Sequence, residues 1–188
     1  MAIEREAAGR DAAKRDVTAQ QAAEIRRAGP GEWRVYRELR LAALAEAPYA
    51  FSSTLERELA FDDELWQRRL SSSAVSFLAW RGAEPVGMAT GKIDDPGDEF
   101  AVAGAWQLVG MWVSPAARGL GVADGLVEAV ARHARAAGAK TLVLWVTEVN
   151  GRAQALYRRL GFAPTGARQP VRPDEPASWE VQLLRPLG

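Results

Sequence analysis

The segment richest in chemical content is Arg118-Gly119-Leu120-Gly121-Val122-Ala123-Asp124. It follows an apolar run, Leu108 to Val113, that reads as a buried strand, and it opens a helical pattern reaching about Ala137. A helix start leaves backbone N–H groups without intrahelical acceptors, and the helix dipole adds positive potential there. Glycines let the backbone come close to a phosphate because no Cβ stands in the way. Strand, glycine turn and helix start together predict an anion site. A P-loop would need a lysine that this turn lacks. A dinucleotide fingerprint would need a third glycine where Asp124 stands, at the first strand of the fold. What remains is a pyrophosphate cradle of another kind.

Composition removes other chemistries. There is no cysteine, which excludes disulfides, thiolate metal sites and cysteine catalysis. His133 is the only histidine, so a zinc site or a Ser-His-Asp triad would rest on it alone. It sits mid-helix off the apolar face and reads as a surface residue; no metal is expected. Lys plus Arg equals Asp plus Glu at 24 each, which argues against nucleic acid and membrane surfaces as partners. No apolar run approaches the roughly 20 residues of a membrane span, and no signal-peptide core is evident. A cytoplasmic location is expected.

The 188 residues predict one domain over 23–188, preceded by an extension, 1–22, that is disordered or a frayed helix. Along the domain the pattern predicts a strand at Ala23–Ala28 and a helix carrying Trp33, Tyr36, Leu39 and Ala43 on one face. An aromatic loop follows at 47–51. Asp62 or Asp63 caps a second helix with Leu65, Trp66, Arg69 and Leu70 on one side. Val75–Trp80 and Pro85–Ile93 form a hairpin, and Asp94–Glu99 an acidic loop read as a solvated turn. Ala105–Val113 is a central strand. Val122, Leu126, Val130 and Ala134 give the next helix its apolar face, and Gly138 ends it. Thr141–Thr147 is apolar on both faces, as in a strand covered on both sides. Asn150 caps a helix bearing Ala153, Leu156, Tyr157 and Leu160 on one face. Phe162 starts a short strand, 166–177 reads as a long proline-bearing loop, and Ser178–Leu184 is the last strand. The class is α/β with a mixed sheet and one strand–turn–helix–strand crossover.

Two motifs resemble those of the GCN5-related N-acetyltransferases, the GNAT family. Arg118-x-x-Gly121-x-Ala123, preceded by Val113-x-Pro115, matches the family's R/Q-x-x-G-x-G/A signature. Asn150, Ala155-Leu156-Tyr157 and Leu160-Gly161-Phe162 match a second feature, and the order of elements is the family's. The resemblance implies a mixed, mostly antiparallel sheet with a splayed parallel strand pair, flanked by helices, and an N-acetyltransferase that uses acetyl-CoA as cosubstrate. It implies that backbone N–H groups of Gly119, Leu120, Gly121, Val122, Ala123 and Asp124 cradle the pyrophosphate. It implies further that the strand edge at Met111, Trp112 and Val113 binds the pantetheine arm, that Asn150 contacts that arm, and that Tyr157 stands near the sulfur and protonates the departing thiolate. Arg118, Arg152 or Arg158 would meet the phosphates.

Some family members carry a Glu where this chain has Trp145, so that base does not transfer. Glu148 and Glu99 stand as candidates for it. The absent Glu keeps open an alternative, a CoA-binding or sensing module without acceptor chemistry; an interaction protein that keeps only the fold is a third reading. The partners implied are acetyl-CoA and an amine acceptor, a small molecule or a protein amine. The acceptor and the oligomeric state, a homodimer among the options, are not written in these motifs.

Overall fold

A sheet whose central strands are buried in continuous runs organises the computed structural model, which describes residues 22–71, 73–173 and 177–188. The strands are β1 (Glu24–Arg27), β2 (Val75–Arg81), β3 (Glu84–Ile93), β4 (Trp106–Val113), β5 (Thr141–Thr147), β6 (Ala163–Pro170) and β7 (Trp179–Pro186). They form one sheet of seven strands among the described residues, in the order β1-β2-β3-β4-β5-β7-β6. Neighbours run antiparallel except β4 and β5, which are parallel. This is the mixed sheet with one parallel pair that the motifs implied. The extension expected at 1–22 lies outside the described residues apart from Ala22.

One face is closed by α4 (Val122–Ala136) and α5 (Gly151–Arg159); the other carries α1 (Trp33–Glu46), α2 (Leu55–Leu59) and α3 (Asp63–Ser71). On the α4 face, Leu126, Val127, Val130 and Ala134 bury against Leu108, Leu142 and Leu144. The helix lies so close to β3 that a Cβ on Gly91 would stand 2.8 Å from Val130 Cγ1. On the α1 face, Trp33, Tyr36, Leu39 and Ala43 pack with Trp66, Leu78, Met88 and Trp112. Asp62 supplies the cap before α3, its Oδ1 accepting from the Leu65 N–H at 2.7 Å.

Four expectations change. The 166–177 loop is shorter, because β6 runs on through Pro170 as the sheet's outermost strand, where its prolines leave no ladder donor unpaired. The helix α2 was not foreseen; it is short, capped by the Thr54 side chain, and has no apolar periodicity to announce it. Its Glu58 is fully buried, with Arg40 Nη2 at 2.8 Å and Arg69 Nη1 at 3.0 Å. The acidic loop is not wholly solvated: Asp94 is buried and accepts from the Val102 N–H at 2.8 Å. His133 is half-buried, its ring edge-on to Trp106 at 5.1 Å and to Phe77 at 6.2 Å, so it is part of the packing.

Candidate active site

A glycine in the central strand opens the site. Gly110 has φ +60, a conformation glycine adopts without Cβ strain, and the β3–β4 register slips there between Met88 and Thr90. The bulge turns β4 away from β5. The parallel pair is in register only at Trp106–Leu142, Gln107–Val143 and Leu108–Leu144. Beyond Leu108, β4 follows β3 while β5 follows β7, and the two facing edges diverge. A cleft of about 1710 Å³ lies at the divergence, lined by Val109–Val113 from one strand and Trp145–Thr147 from the other. Unpaired strand edges accept an extended ligand as they would another strand.

At the end of β4 the chain makes a 3-10 turn, Pro115–Ala117, and then the glycine turn. Gly119 has φ +81 and Gly121 φ +77, both left-handed. Where a Cβ would stand on either glycine there is no atom within 4 Å, so this side of the turn is open. The Gly125 N–H reaches back to the Gly121 carbonyl at 3.1 Å, which leaves the N–H groups of Val122, Ala123 and Asp124 without intrahelical acceptors. That row of donors at a helix start suits a pyrophosphate. Leu120 is half exposed beside it. The Asp124 carboxylate, on the same first turn, is paired with Arg159 Nη1 at 2.6 Å.

The Arg118 side chain takes another direction. Its Nε donates to the Val113 carbonyl at 3.0 Å, and Nη2 lies 2.6 Å from Glu46 Oε2 at the end of α1. Trp112 Nε1 donates to the same carboxylate at 3.1 Å. The Arg118 and Trp112 hydrogen bonds hold the Glu46 carboxyl below its usual range. Arg118 thus ties the glycine turn to the helix over the opposite face. Arg152 lines the cleft, and Arg158 Nη2 bonds Gln154 Oε1 at 3.0 Å.

Asn150 caps α5 through its Oδ1, which accepts from the Ala153 N–H at 3.1 Å. The cap places Tyr157 two turns on, facing inward. Tyr157 is buried, edge-on to Phe162 at 5.7 Å, and its hydroxyl donates to Met111 Sδ at 3.1 Å. Burial pushes the phenol up, so it keeps its proton. A thioether is a weak acceptor. The hydroxyl is therefore under-bonded, and it sits against the splayed segment of β4. Met111, Trp112, Val113, Gly119, Gly121, Ala123, Asp124, Asn150 and Tyr157 all line the one cleft, as does the Arg118 residue.

The carboxylates near the cleft differ in what engages them. Glu148 is locked to Arg168, Oε1 to Nε at 2.7 Å and Oε2 to Nη2 at 3.0 Å, and these hydrogen bonds hold its carboxyl low, which weakens it as a base. Glu99 is exposed at the cleft rim. The residue that sequence reasoning passed over is Glu180 on β7. It lines the cleft, is half-buried, accepts from Gln169 Nε2 at 2.8 Å, and burial pushes its carboxyl up. Directly across the ladder stands Thr147, buried, with an Oγ1 that has no hydrogen-bond partner. The signal was the alternation of β7, which puts Glu180 and Gln182 on one face; its meaning needed β6 beside it. Among the described residues no group of three or more His, Asp or Glu is arranged to hold a metal ion. No helix among them is long and apolar enough to cross a membrane.

Comparison with known proteins agrees with this geometry. A 36% identity over 86 residues relates the chain to a mycothiol acetyltransferase of Geodermatophilus obscurus, covering 46% of this chain and 28% of that one. An IAA acetyltransferase of Azospirillum brasilense is 35% identical over 106 residues, 56% of this chain and 65% of that one. The chain thus spans less than two thirds of either curated relative. Among solved structures, yncA of Salmonella typhimurium, determined with its cofactor acetyl-CoA, shares the fold at a TM-score of 0.67 with 18% identity, over 88% of this chain and 94% of that one. The family model described as the acetyltransferase (GNAT) family matches residues 36–162, and the chain belongs to that family.

Proposed function

We propose that the chain moves the acetyl group of acetyl-CoA onto the nitrogen of a primary amine, by direct attack while both substrates are held together. The observation that carries this reading is the coincidence of three features in one cleft: the open β4–β5 edge, the glycine turn with its free N–H row, and the under-bonded Tyr157 hydroxyl. Acetyl-CoA supplies the acetyl group as a thioester.

In this reading the N–H groups of Gly119–Asp124 bind the pyrophosphate, with the helix dipole behind them. The free edge at Met111, Trp112 and Val113 bonds the pantetheine arm like an added strand, and one N–H of that edge polarises the thioester carbonyl and holds the developing oxyanion. Asn150 spends its Oδ1 on the helix cap and keeps its amide nitrogen for the arm. Tyr157 exchanges its weak sulfur acceptor for the departing thiolate and protonates it. Positioning the amine in a dry cleft supplies much of the rate.

Calorimetry with acetyl-CoA and free-thiol release over a panel of primary amines test the proposal. Binding together with amine-dependent thiol release is expected. Binding without release on any amine would leave a CoA-binding module, and absence of binding would remove the cofactor assignment.

A further inference from the structure

Resting on that reading, we propose that Glu180 is the base that takes the ammonium proton of the acceptor, with the Thr147 hydroxyl as the second group holding the amine. Thr147 and Glu180 are directly opposed on β5 and β7. Opposed side chains share a face, about 5 Å apart at Cβ. That face is the one away from α4, because Leu142, Leu144 and Val146 of β5 and Val181 and Leu183 of β7 belong to the α4 core.

Two observations mark a ligand position there. Thr147 is 3% exposed, and its Oγ1 has no partner. A buried hydroxyl left unbonded costs stability unless something else bonds it. Glu180 accepts from Gln169 at Oε1, while its Oε2 has no hydrogen-bond partner among the described residues. Trp145, two residues before Thr147, continues the same face and packs edge-on to Phe100 at 5.8 Å. An ammonium between Thr147 and Glu180 therefore meets an acceptor oxygen on each side and an aromatic wall.

The other carboxylates around the cleft are engaged or exposed. Glu46 pairs with Arg118, Asp124 with Arg159, and Glu148 with Arg168. Asp98 and Glu99 are exposed. Around Glu180 itself burial raises the carboxyl and the Gln169 amide lowers it, with no cation contributing; Lys92 and Arg40 line the same cleft, Arg40 being bound to Glu58. An unpaired carboxylate in a partly dry site is a stronger base than an ion-paired one.

Glu180 removes one proton from the ammonium and returns it to solvent. The neutral nitrogen forms the C–N bond as the C–S bond breaks. The second nitrogen proton replaces the one that Tyr157 delivers to sulfur. The acceptor class is thus a primary amine that is an ammonium at neutral pH.

The test uses the full chain with 2-phenylethylamine, an ammonium at pH 7, and 4-methoxyaniline, which is neutral there. Glu180→Gln is expected to lower kcat/KM for 2-phenylethylamine by about 100-fold. It should recover as pH rises toward the amine's own pKa, and change 4-methoxyaniline transfer by only a few-fold. Thr147→Val should raise KM for the amine more than it lowers kcat. Calorimetric CoA affinity should stay unchanged in both. Carbon-13 NMR of the Glu180 carboxyl should show titration above the ordinary value of about 4.3. Equal losses on both amines, or an ordinary titration, would overturn the role of Glu180. Transfer by the wild type that Glu180→Gln leaves intact would overturn it while sparing the acetyltransferase reading. Absence of transfer by the wild type to either amine, or to any in the wider panel, would overturn both.

Discussion

On one face of the sheet, α4 lays Leu126, Val127 and Val130 flat on the strands, each with no exposed surface. On the other face, α1 and α3 cover β2, β3 and the end of β4, and a polar cluster of Arg40, Glu58 and Arg69 sits at their edge. Over β5 and β7 that face holds Trp145, Thr147 and Glu180 at the cleft, with Gln182 buried beside them and bonded to the Phe100 carbonyl. The closed face is apolar and repetitive; the open one is built from individual polar groups, some bonded, as Glu58 is, and one, Thr147 Oγ1, left without a partner. The closed face lends the cleft only helix ends and one inward side chain, the glycine turn at the start of α4 and Tyr157 on α5, while the open face supplies its polar floor. The bulge at Gly110 lies where β4 parts from β5, and Leu108 and Val113 on either side of it stay in the α4 core.

The contrast can be broken by substitutions on either face. Glu58→Ala should cost the most, roughly 3–5 kcal/mol, because it leaves Arg40 buried without its carboxylate; urea unfolding measures it. Leu126→Ala on the closed face should cost about 2–5 kcal/mol through the cavity it opens, while CoA affinity stays as it was. A Leu126 variant that binds CoA poorly yet melts like wild type would erase the division between faces. Tyr157→Phe should lower kcat about 100-fold, about 2.7 kcal/mol of barrier, with CoA affinity near wild type. An unchanged kcat removes Tyr157 from the acid role.

Arg118→Ala should cost at most about 1 kcal/mol, as partly exposed ion pairs do. It should weaken CoA binding less than a block of the glycine turn, since its guanidinium is engaged by Glu46 and Val113. The smallest effect concerns pH. Burial first, and then Arg27, push the His133 imidazole below its usual value. A group with a lowered folded pKa favours the native state above its unfolded value, about 6.5, and loses that contribution as pH falls. His133→Gln should therefore flatten the acid side of the stability curve slightly, read by urea unfolding from about pH 7.5 down to pH 5.

Most of the closed face was legible in the sequence because burial there follows period: Val122, Leu126, Val130 and Ala134 mark the helix, and Leu142, Leu144 and Val146 the strand under it. The glycine turn was legible for a local reason, since a helix start and two glycines specify donors by themselves. Glu58 was not, because its worth depends on Arg40, 18 residues away and on another helix. Glu180 is not legible, because the prolines and glycine of 163–170 do not announce the edge strand that sets Gln169 beside it and half-buries it. Pro164, Gly166 and Pro170 look like loop residues, yet an outermost strand tolerates them.

If the Gly119–Asp124 turn holds the pyrophosphate of acetyl-CoA, calorimetry on Gly121→Val reads the loss of that grip. A Cβ at φ +77 strains the turn by about 1–2 kcal/mol and fills the open cradle. Acetyl-CoA should bind the wild type and bind Gly121→Val at least about 10-fold more weakly, with the variant still folded. Equal affinity in the two proteins, or no binding to either, would contradict the account.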